Sequence, residues 1–485
     1  MISGAVAAVD LGATSGRVVL GRVGPGRLEI EDVHRFPNVP VRTRNGLHWN
    51  IFELYRNVLE GLREALAREP DLISIGIDSW AVDYALLRGD RLVSTPFHYR
   101  DERTARGVEA VGRAIDAPEL YAANGLQFLP FNTLYQLAVD RDEGLLDAST
   151  SMLLVPDLIA YWLTGVRQAE LTNASTTGLL DVASRTWHGP LVSKLGLPPG
   201  LLPPLTAPGE RIGTLTPDIA AELGLTRPLD VVAVGSHDTA SAVVAVPMTS
   251  RNAAYICSGT WSLIGVETDR PILSEESRQA NFTNEGGVDG RIRYLRNVMG
   301  MWLVNECVDA WRKNGSDVDL PGLVDAAAGV PDHVVFDVGH PSLLPAGDMP
   351  SRILALAPGL RDADHAVVLR SILESLALAY AQTLDELQRL TGVSIDTVHI
   401  VGGASQNALL CRLIADRSGR DVVAGPVEAT ATGNIIVQAR AAGLVTGSLE
   451  DLRALVARTT SPVVHRCGAG SLAKQPTYET IHPEC

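Results

Sequence analysis

One arrangement occurs twice in this chain, once in each half: an apolar strand, a short polar turn of small residues, and a returning strand. In the first copy a strand over 5–9 leads into Asp10-Leu-Gly-Ala-Thr-Ser-Gly16 and returns over 17–23. In the second, a strand over 253–257 leads into Ser258-Gly259-Thr260 and returns over 261–267. A single repeat at so long a period is not a solenoid, whose units recur every 20 to 50 residues. It predicts two related α/β domains. Around the first copy, apolar spacing predicts a helix over 51–66, with Asn50 and Glu53 placed as a capping box, then a strand over 72–77 ending in Asp78-Ser-Trp-Ala-Val-Asp83. Around the second, a long helix through 369–387 stops near Gly392. A strand over 397–401 then runs into Gly402-Gly403, followed by a helix (408–418), a strand (421–424) and a helix (432–442). Polar turn formers after Pro247 set the expected division: 1–247, 248–460, and a tail of 461–485. Ligands of open α/β sheets bind beyond the carboxyl ends of the strands, where each of these turns falls. Two such edges facing each other make a cleft.

A net charge of −15 and a pI near 5.2 oppose broad contact with nucleic acid or an anionic membrane, leaving small molecules as the expected partners. The N-terminus lacks the basic and apolar regions of an export signal and no uncharged apolar run is long enough to span a bilayer, so the expected location is the cytoplasm. The five cysteines form no C-x-x-C pair, which argues against a disulfide framework or zinc site. Lysine is more telling, because it occurs only at Lys194, Lys313 and Lys474 and never after glycine. The Gly-Lys-Ser/Thr of P-loop enzymes and the strand lysine of protein kinases are therefore both missing.

The turn from Asp10 to Arg17 offers backbone amides, the hydroxyls of Thr14 and Ser15, and a carboxylate able to hold Mg²⁺ directly or through water; an ordinary hairpin turn has the same composition. Ser236-His237-Asp238-Thr239 follows an apolar strand and opens a helix, whose positive end favours ionised Asp238. There Asp238 suits either a helix cap or a general base that takes the proton of an alcohol during phosphoryl transfer, with His237 in a supporting role. The hydroxyl and amides of Ser258-Gly259-Thr260 suit the distal phosphates of ATP from the opposite domain. Gly402-Gly403 permits close approach of a flat group such as adenosine, with Asn407 as a polar contact, although a plain loop has the same look. Trp80 and Asp83 suit an amphipathic sugar wall, an aromatic face beside a carboxylate, while Trp80 alone would suit a core. Gly468-Ala-Gly470 lacks the strand and helix of a dinucleotide loop.

Taken in order, Asp10-Leu-Gly-Ala-Thr-Ser-Gly-Arg17, Gly76-Ile-Asp-Ser-Trp80, His237-Asp-Thr239, Ser258-Gly-Thr-Trp-Ser262 and Gly402-Gly403 resemble the FGGY carbohydrate kinases of the actin-like superfamily. The resemblance covers nearly the whole chain. It is strongest to the members that act on L-rhamnulose, through His98-Tyr-Arg-Asp101, Gln127-Phe-Leu-Pro-Phe-Asn-Thr-Leu-Tyr-Gln136, Thr172-Asn-Ala-Ser-Thr-Thr177, Asn284-Glu-Gly-Gly287 and Asn297-Val-Met-Gly-Met-Trp302. It implies two actin-like (ribonuclease H-like) domains facing a central cleft. The implied reaction is transfer of the γ-phosphoryl group of MgATP to the 1-hydroxyl of L-rhamnulose, within L-rhamnose catabolism, with Asp238 as proton acceptor. Sugar contacts are implied for Ala13, Thr14, Ser15, Gly16, Arg17, Ala81, His237 and Thr239, beside the Asp83 reading above, and ATP contacts for Thr260, Asn297, Asn305, Gly402 and Gly403. Asp10 is the expected Mg²⁺ residue. Three positions depart from the family pattern: Ala81 replaces a usual glycine, Asn305 a longer glutamine and Gly178 a common glutamine. The alternatives are a kinase of another ketose, such as L-fuculose or D-xylulose, and a catalytically silent actin-like sugar or nucleotide sensor.

Overall fold

Residues 4–11 are apolar up to Asp10, the pattern of a strand covered on both faces. In the computed structural model, which describes residues 3–468, they form a central strand of a six-stranded sheet. The Gly468-Ala-Gly470 turn beyond its first residue, and the tail from 469 on, lie outside the described residues. The first sheet comprises β1 (Gly4–Leu11), β2 (Ser15–Gly24), β3 (Arg27–Pro37), β4 (Ser74–Ser79), β5 (Arg211–Thr214) and β6 (Asp230–Val232), in the order β5-β6-β4-β1-β2-β3. Helix α1 (Ile51–Arg68) buries Ile51, Leu54, Val58, Leu62 and Ala65 against this sheet. The expected capping box at its start is not made. Asn50 caps nothing with its side chain, and the Glu53 carboxylate instead takes the Asn57 amide and the Arg56 guanidinium.

The second sheet comprises β7 (Ala253–Ser258), β8 (Trp261–Thr268), β9 (Thr283–Gly286), β10 (Ile292–Met299), β11 (Thr397–Val401), β12 (Asp421–Ala424) and β13 (Val463–His465), in the order β9-β10-β8-β7-β11-β12-β13. Within the two sheets, β3-β2-β1-β4-β6 and β10-β8-β7-β11-β12 match strand for strand: three antiparallel neighbours, then two parallel additions. The duplication legible in the two hairpins is thus a duplication of topology, in two α/β domains of the actin-like kind. The second core is closed by helices α2 (Asp238–Val244) at its border, α3 (Trp302–Lys313), α4 (His365–Thr391) and α5 (Ala408–Ser418). Among the described residues α4 is the one helix long and apolar enough to cross a membrane, yet most of it is buried within this core, capped by Asp364 and ended by left-handed Gly392.

Two later helices, α6 (Ala429–Ala441) and α7 (Leu449–Thr459), pack back onto the first half of the chain. From α6, Asn434 donates to Asp78 Oδ2 at 2.6 Å, while Gln438 donates to the Ala7 carbonyl at 3.0 Å and accepts from Ser74 Oγ at 2.7 Å. α6 crosses α2 at Gly433, where a Cβ would lie 1.8 Å from the Ser241 carbonyl oxygen. The Ser241 atoms are backbone and a Cβ is fixed by its own Cα, so neither can swing away. Gly433→Ala is expected to destabilise the protein by about 1–3 kcal/mol through forced separation of the two helices, measured by urea denaturation.

Candidate active site

The carboxyl ends of β1, β4 and β6 bring Asp10, Asp78 and the Ser236–Thr239 turn together, while those of β7 and β11 bring Thr260 and Gly402 to the facing edge. Between them lies a cleft of about 1080 Å³. Its lining includes Asp10, Ala13, Thr14, Ser15, Arg17, Ala81, His237, Asp238, Thr239, Thr260, Asn297, Asn305, Gly402 and Gly403, so residues scattered over four hundred positions share one surface.

Asp238 is the first residue of α2, following His237 at the cap position. Its Oδ1 accepts from the Thr239 amide at 2.5 Å and the Thr239 hydroxyl at 3.1 Å, and 30% of its side chain remains exposed to the cleft. The helix terminus does favour the ionised form, through the Thr239 amide, but desolvation outweighs it. Desolvation raises the Asp238 carboxyl above the usual aspartate range, the nearby Asp10 adds to this, and His237 opposes it. A raised carboxyl is a better proton acceptor. The segment that carries Asp238 is held from below: the buried Glu170 carboxylate accepts from Ser236 N at 2.9 Å and Ser236 Oγ at 2.8 Å.

Asp10 faces Arg17 across the hairpin, and its Oδ2 takes Arg17 Nε at 2.9 Å and Nη2 at 2.7 Å. The third nitrogen of the guanidinium pairs with Glu428, at the head of α6. Asp78 sits behind them, wholly buried, with Oδ1 unpartnered among the described residues; burial and then Asp10 push its carboxyl well above the usual range. Among the described residues no group of three or more His, Cys, Asp or Glu forms a direct metal-ligand set. Among the described residues Asp10 Oδ1 is without a partner at the cleft surface, which fits a cation held by one carboxylate oxygen, water and a phosphate, the usual arrangement for Mg²⁺.

Two expected sugar contacts lie off the cleft surface. Gly16 is buried, and a Cβ there would lie 2.4 Å from the Phe36 ring, so its glycine serves packing. Asp83 is buried under the wall it was expected to form: its carboxylate accepts Trp49 Nε1 at 2.6 Å, Trp80 Nε1 at 3.1 Å, Gln136 Nε2 at 2.9 Å and the Tyr99 amide at 3.1 Å. Burial nevertheless pushes its carboxyl up to about 6. Between them Trp80, Ala81 and Val82 face the cleft, and Val82 is held at φ 68°, a left-handed value strained for a β-branched residue. An Asp83 N–Ala81 O bond of 2.9 Å and a Thr133 Oγ1–Val82 O bond of 2.7 Å fix that turn. Gly178 is also away from the cleft; it has φ 80° and packs under Leu134, so this departure from the family pattern concerns packing.

On the opposite edge Thr260 lines the cleft, whereas the Ser258 hydroxyl is bound to Ser262 and, through it, to Tyr380. Gly402 has φ 85° and lies against the Ser258 carbonyl, where a Cβ would come within 2.8 Å, while nothing lies within 4 Å of a Cβ on Gly403. That open face continues over Leu320 and Val324, a surface suited to a nucleoside. Asn407, expected as a polar contact, lines the cleft and also caps α5, its Oδ1 accepting the Leu410 amide at 3.0 Å. Asn297 is tied across the cleft: Gln127 Oε1 accepts from its backbone at 2.8 Å and its side chain at 3.0 Å. A second tie is Arg100, stacked 4.0 Å over the Trp302 ring and donating to the Leu344 carbonyl at 2.6 Å. Glu285, Arg412, Gln127 and Glu428 also line the cleft and are not marked as site residues by any local spacing in the sequence; the partners of Gln127 and Glu428, Asn297 and Arg17, are remote in the chain.

Models of the FGGY family of carbohydrate kinases match this chain twice, the N-terminal domain over residues 5–245 and the C-terminal domain over 254–442. A protein named rhamnulokinase from Bacteroides thetaiotaomicron is 40% identical over 462 residues, covering 93% of each chain. One so named from Pectobacterium atrosepticum is 42% identical over 460 residues, covering 91% of this chain and 89% of its own. Among solved structures, gluconate kinase from Lactobacillus acidophilus superposes with a TM-score of 0.79 at 15% identity, covering 96% of this chain and 94% of its own. Plasmodium falciparum glycerol kinase with ADP gives 0.75 at 13% identity, covering 95% and 94%. At such identities the two structures speak for the fold alone. The relatives and the two domain matches speak for more: this chain belongs to the FGGY family of carbohydrate kinases, which transfer phosphate from ATP to a sugar hydroxyl.

Proposed function

We propose that this enzyme phosphorylates the 1-hydroxyl of L-rhamnulose, giving L-rhamnulose 1-phosphate and ADP, with Asp238 as the general base. The observation that carries the reaction is Asp238 itself: a carboxylate at the cleft surface with its pKa raised by burial, set between a polar hairpin and the facing Thr260 turn. The rhamnulose assignment rests on relatives named rhamnulokinase that are 40% and 42% identical to this chain.

In this reading the ketose lies against Ala13, Thr14, Ser15, Arg17, Ala81, His237 and Thr239, and ATP against Thr260, Asn297, Asn305 and the Gly402-Gly403 turn. Asp238 takes the hydroxyl proton as that oxygen bonds to the γ-phosphorus and the bridge to ADP breaks. Positioning and charge stabilisation supply most of the rate, as in phosphoryl transfer generally. Mg²⁺, bound through Asp10 Oδ1 and water, would offset the charge on the phosphate oxygens. Arg17 restrains the other Asp10 oxygen and keeps the hairpin in place. The Ala81 methyl narrows the sugar end, and one such group discriminates between ketoses by about 1–3 kcal/mol.

The Gln127–Asn297 and Arg100–Trp302 ties favour a cleft that shuts around its substrates and excludes water from the phosphoryl group. ADP release in the absence of sugar is therefore expected to be slow and to rise sharply when ketose is added. A rate independent of sugar would remove this reading.

A further inference from the structure

The second domain sends a carboxylate toward the sugar end of the cleft. Glu285 lies on β9 directly opposite Arg293 of β10, so the two form a cross-strand ion pair, with Arg293 Nη2 donating to Glu285 Oε2 at 3.0 Å. The Arg293 side chain is fully buried, at 0% exposure, and its Nε donates to the Gly286 carbonyl at 2.9 Å. This partner holds the Glu285 carboxyl below its usual range despite burial. A lone buried carboxylate would tend to take up a proton; this one stays ionised.

Glu285 also reaches across to the base. Its Oε2 lies 3.3 Å from His237 Nδ1, while His237 Nε2 is 3.5 Å from Asp238 Oδ1. The imidazole thus stands between the two carboxylates, with Arg293 Nη2 also 3.1 Å from Nδ1. All of these bonds use Oε2. Glu285 lines the cleft, and its Oε1 has no protein partner among the described residues and is not sealed from the cavity. A charged acceptor, one ring away from the base and facing a space shared with Thr176 and Phe131, matches a polyol with several hydroxyl donors.

We propose that Glu285 is a specificity-determining sugar contact, its Oε1 accepting a hydrogen bond from a ketose hydroxyl remote from the one that is phosphorylated. The proposal rests on the ketose-kinase reading and extends it. The acceptor sugar is then gripped from both domains, so its binding draws β9 and β10 toward the first sheet, and a sugar lacking that hydroxyl closes the cleft less well.

The test is steady-state kinetics of full-length Glu285→Gln with L-rhamnulose and a series of its monodeoxy analogues. Gln keeps an oxygen for Arg293 but turns an N–H₂ group to the cleft, where it cannot accept. Loss of a hydrogen bond to a charged group predicts a rise of about 10- to 100-fold in the sugar KM, with the ATP KM unchanged. The penalty should vanish for the one analogue that lacks the contacted hydroxyl, a pattern that a general packing defect would not produce. Should Glu285→Gln fold poorly beside the buried Arg293, the double variant Glu285→Gln/Arg293→Met removes both charges and is expected to show the same selective loss. An unchanged sugar KM, or an equal penalty for every analogue, overturns the proposal while leaving the kinase reading intact. Absence of turnover by the wild type on any ketose overturns both.

Discussion

Asp238→Asn is expected to lower kcat by roughly 10²- to 10⁴-fold, the cost of losing a general base, while the ATP KM changes little. Asparagine keeps the shape, and its carbonyl oxygen still accepts from Thr239 N and Oγ1, so the local fold survives. Stability should hold or rise, because the substitution removes a partly buried charge disfavoured by desolvation and by the nearby Asp10. Because the Thr239 bonds survive in asparagine and His237 holds the cap position, a loss of activity at unchanged stability assigns Asp238 a chemical role rather than a structural one. The pH dependence has a definite sign. Wild-type kcat/KM should fall on the acid side as Asp238 becomes protonated, with that limb above the ordinary aspartate value because the carboxyl is raised. In Asp238→Asn the limb disappears. Near-wild-type turnover in the variant would refute the base assignment.

Asp83→Ala is the substitution expected to cost most in stability. It removes the acceptor of four donors at once: two indole N–H groups, the Gln136 amide and the Tyr99 backbone. Each buried donor left without a partner costs about 1–3 kcal/mol, and although such terms do not add, a total of at least about 3 kcal/mol is expected in urea denaturation. The carboxyl is raised to about 6 by burial, so its titration favours the fold most below the unfolded pKa of roughly 3.9, and that contribution is lost as pH rises through about 6. The difference between wild type and variant should accordingly be larger at pH 4.5 than at pH 7. Because Asp83 anchors the strained Val82 turn, the sugar KM should also rise while the ATP KM does not. A stability loss below about 1 kcal/mol would show that Trp49 and Trp80 find other acceptors.

Much of the fold is legible because local chemistry repeats. The strand over 397–401, the helix over 408–418 and the strand over 421–424 match the bounds that apolar period and turn residues predict, and both cleft-facing hairpins announce themselves by a polar, small-residue turn after an apolar strand. Pairings made only in three dimensions were not legible. Nothing near Arg17 indicates Glu428, and nothing near Asn297 indicates Gln127, since each contact depends on how the two sheets face each other. The return of α6 onto the first sheet is hidden for the same reason: Asn434 and Gln438 look like ordinary helix residues until Asp78 and Ala7 arrive beneath them. Gly16 and Asp83 show the converse. Their neighbours in sequence do line the cleft, but alternation along a strand or a tight turn aims these two inward. The Asn50 cap failed because Glu53 had closer partners in Arg56 and Asn57.

The central claim, a base at Asp238 serving a ketose that is first of all L-rhamnulose, is tested most directly by ADP release with MgATP and a panel of L-rhamnulose, L-fuculose, L-ribulose, D-xylulose and glycerol. The expected result is sugar-dependent turnover with the highest kcat/KM on L-rhamnulose. Turnover on none of them, or a higher kcat/KM on another member of the panel, would contradict it.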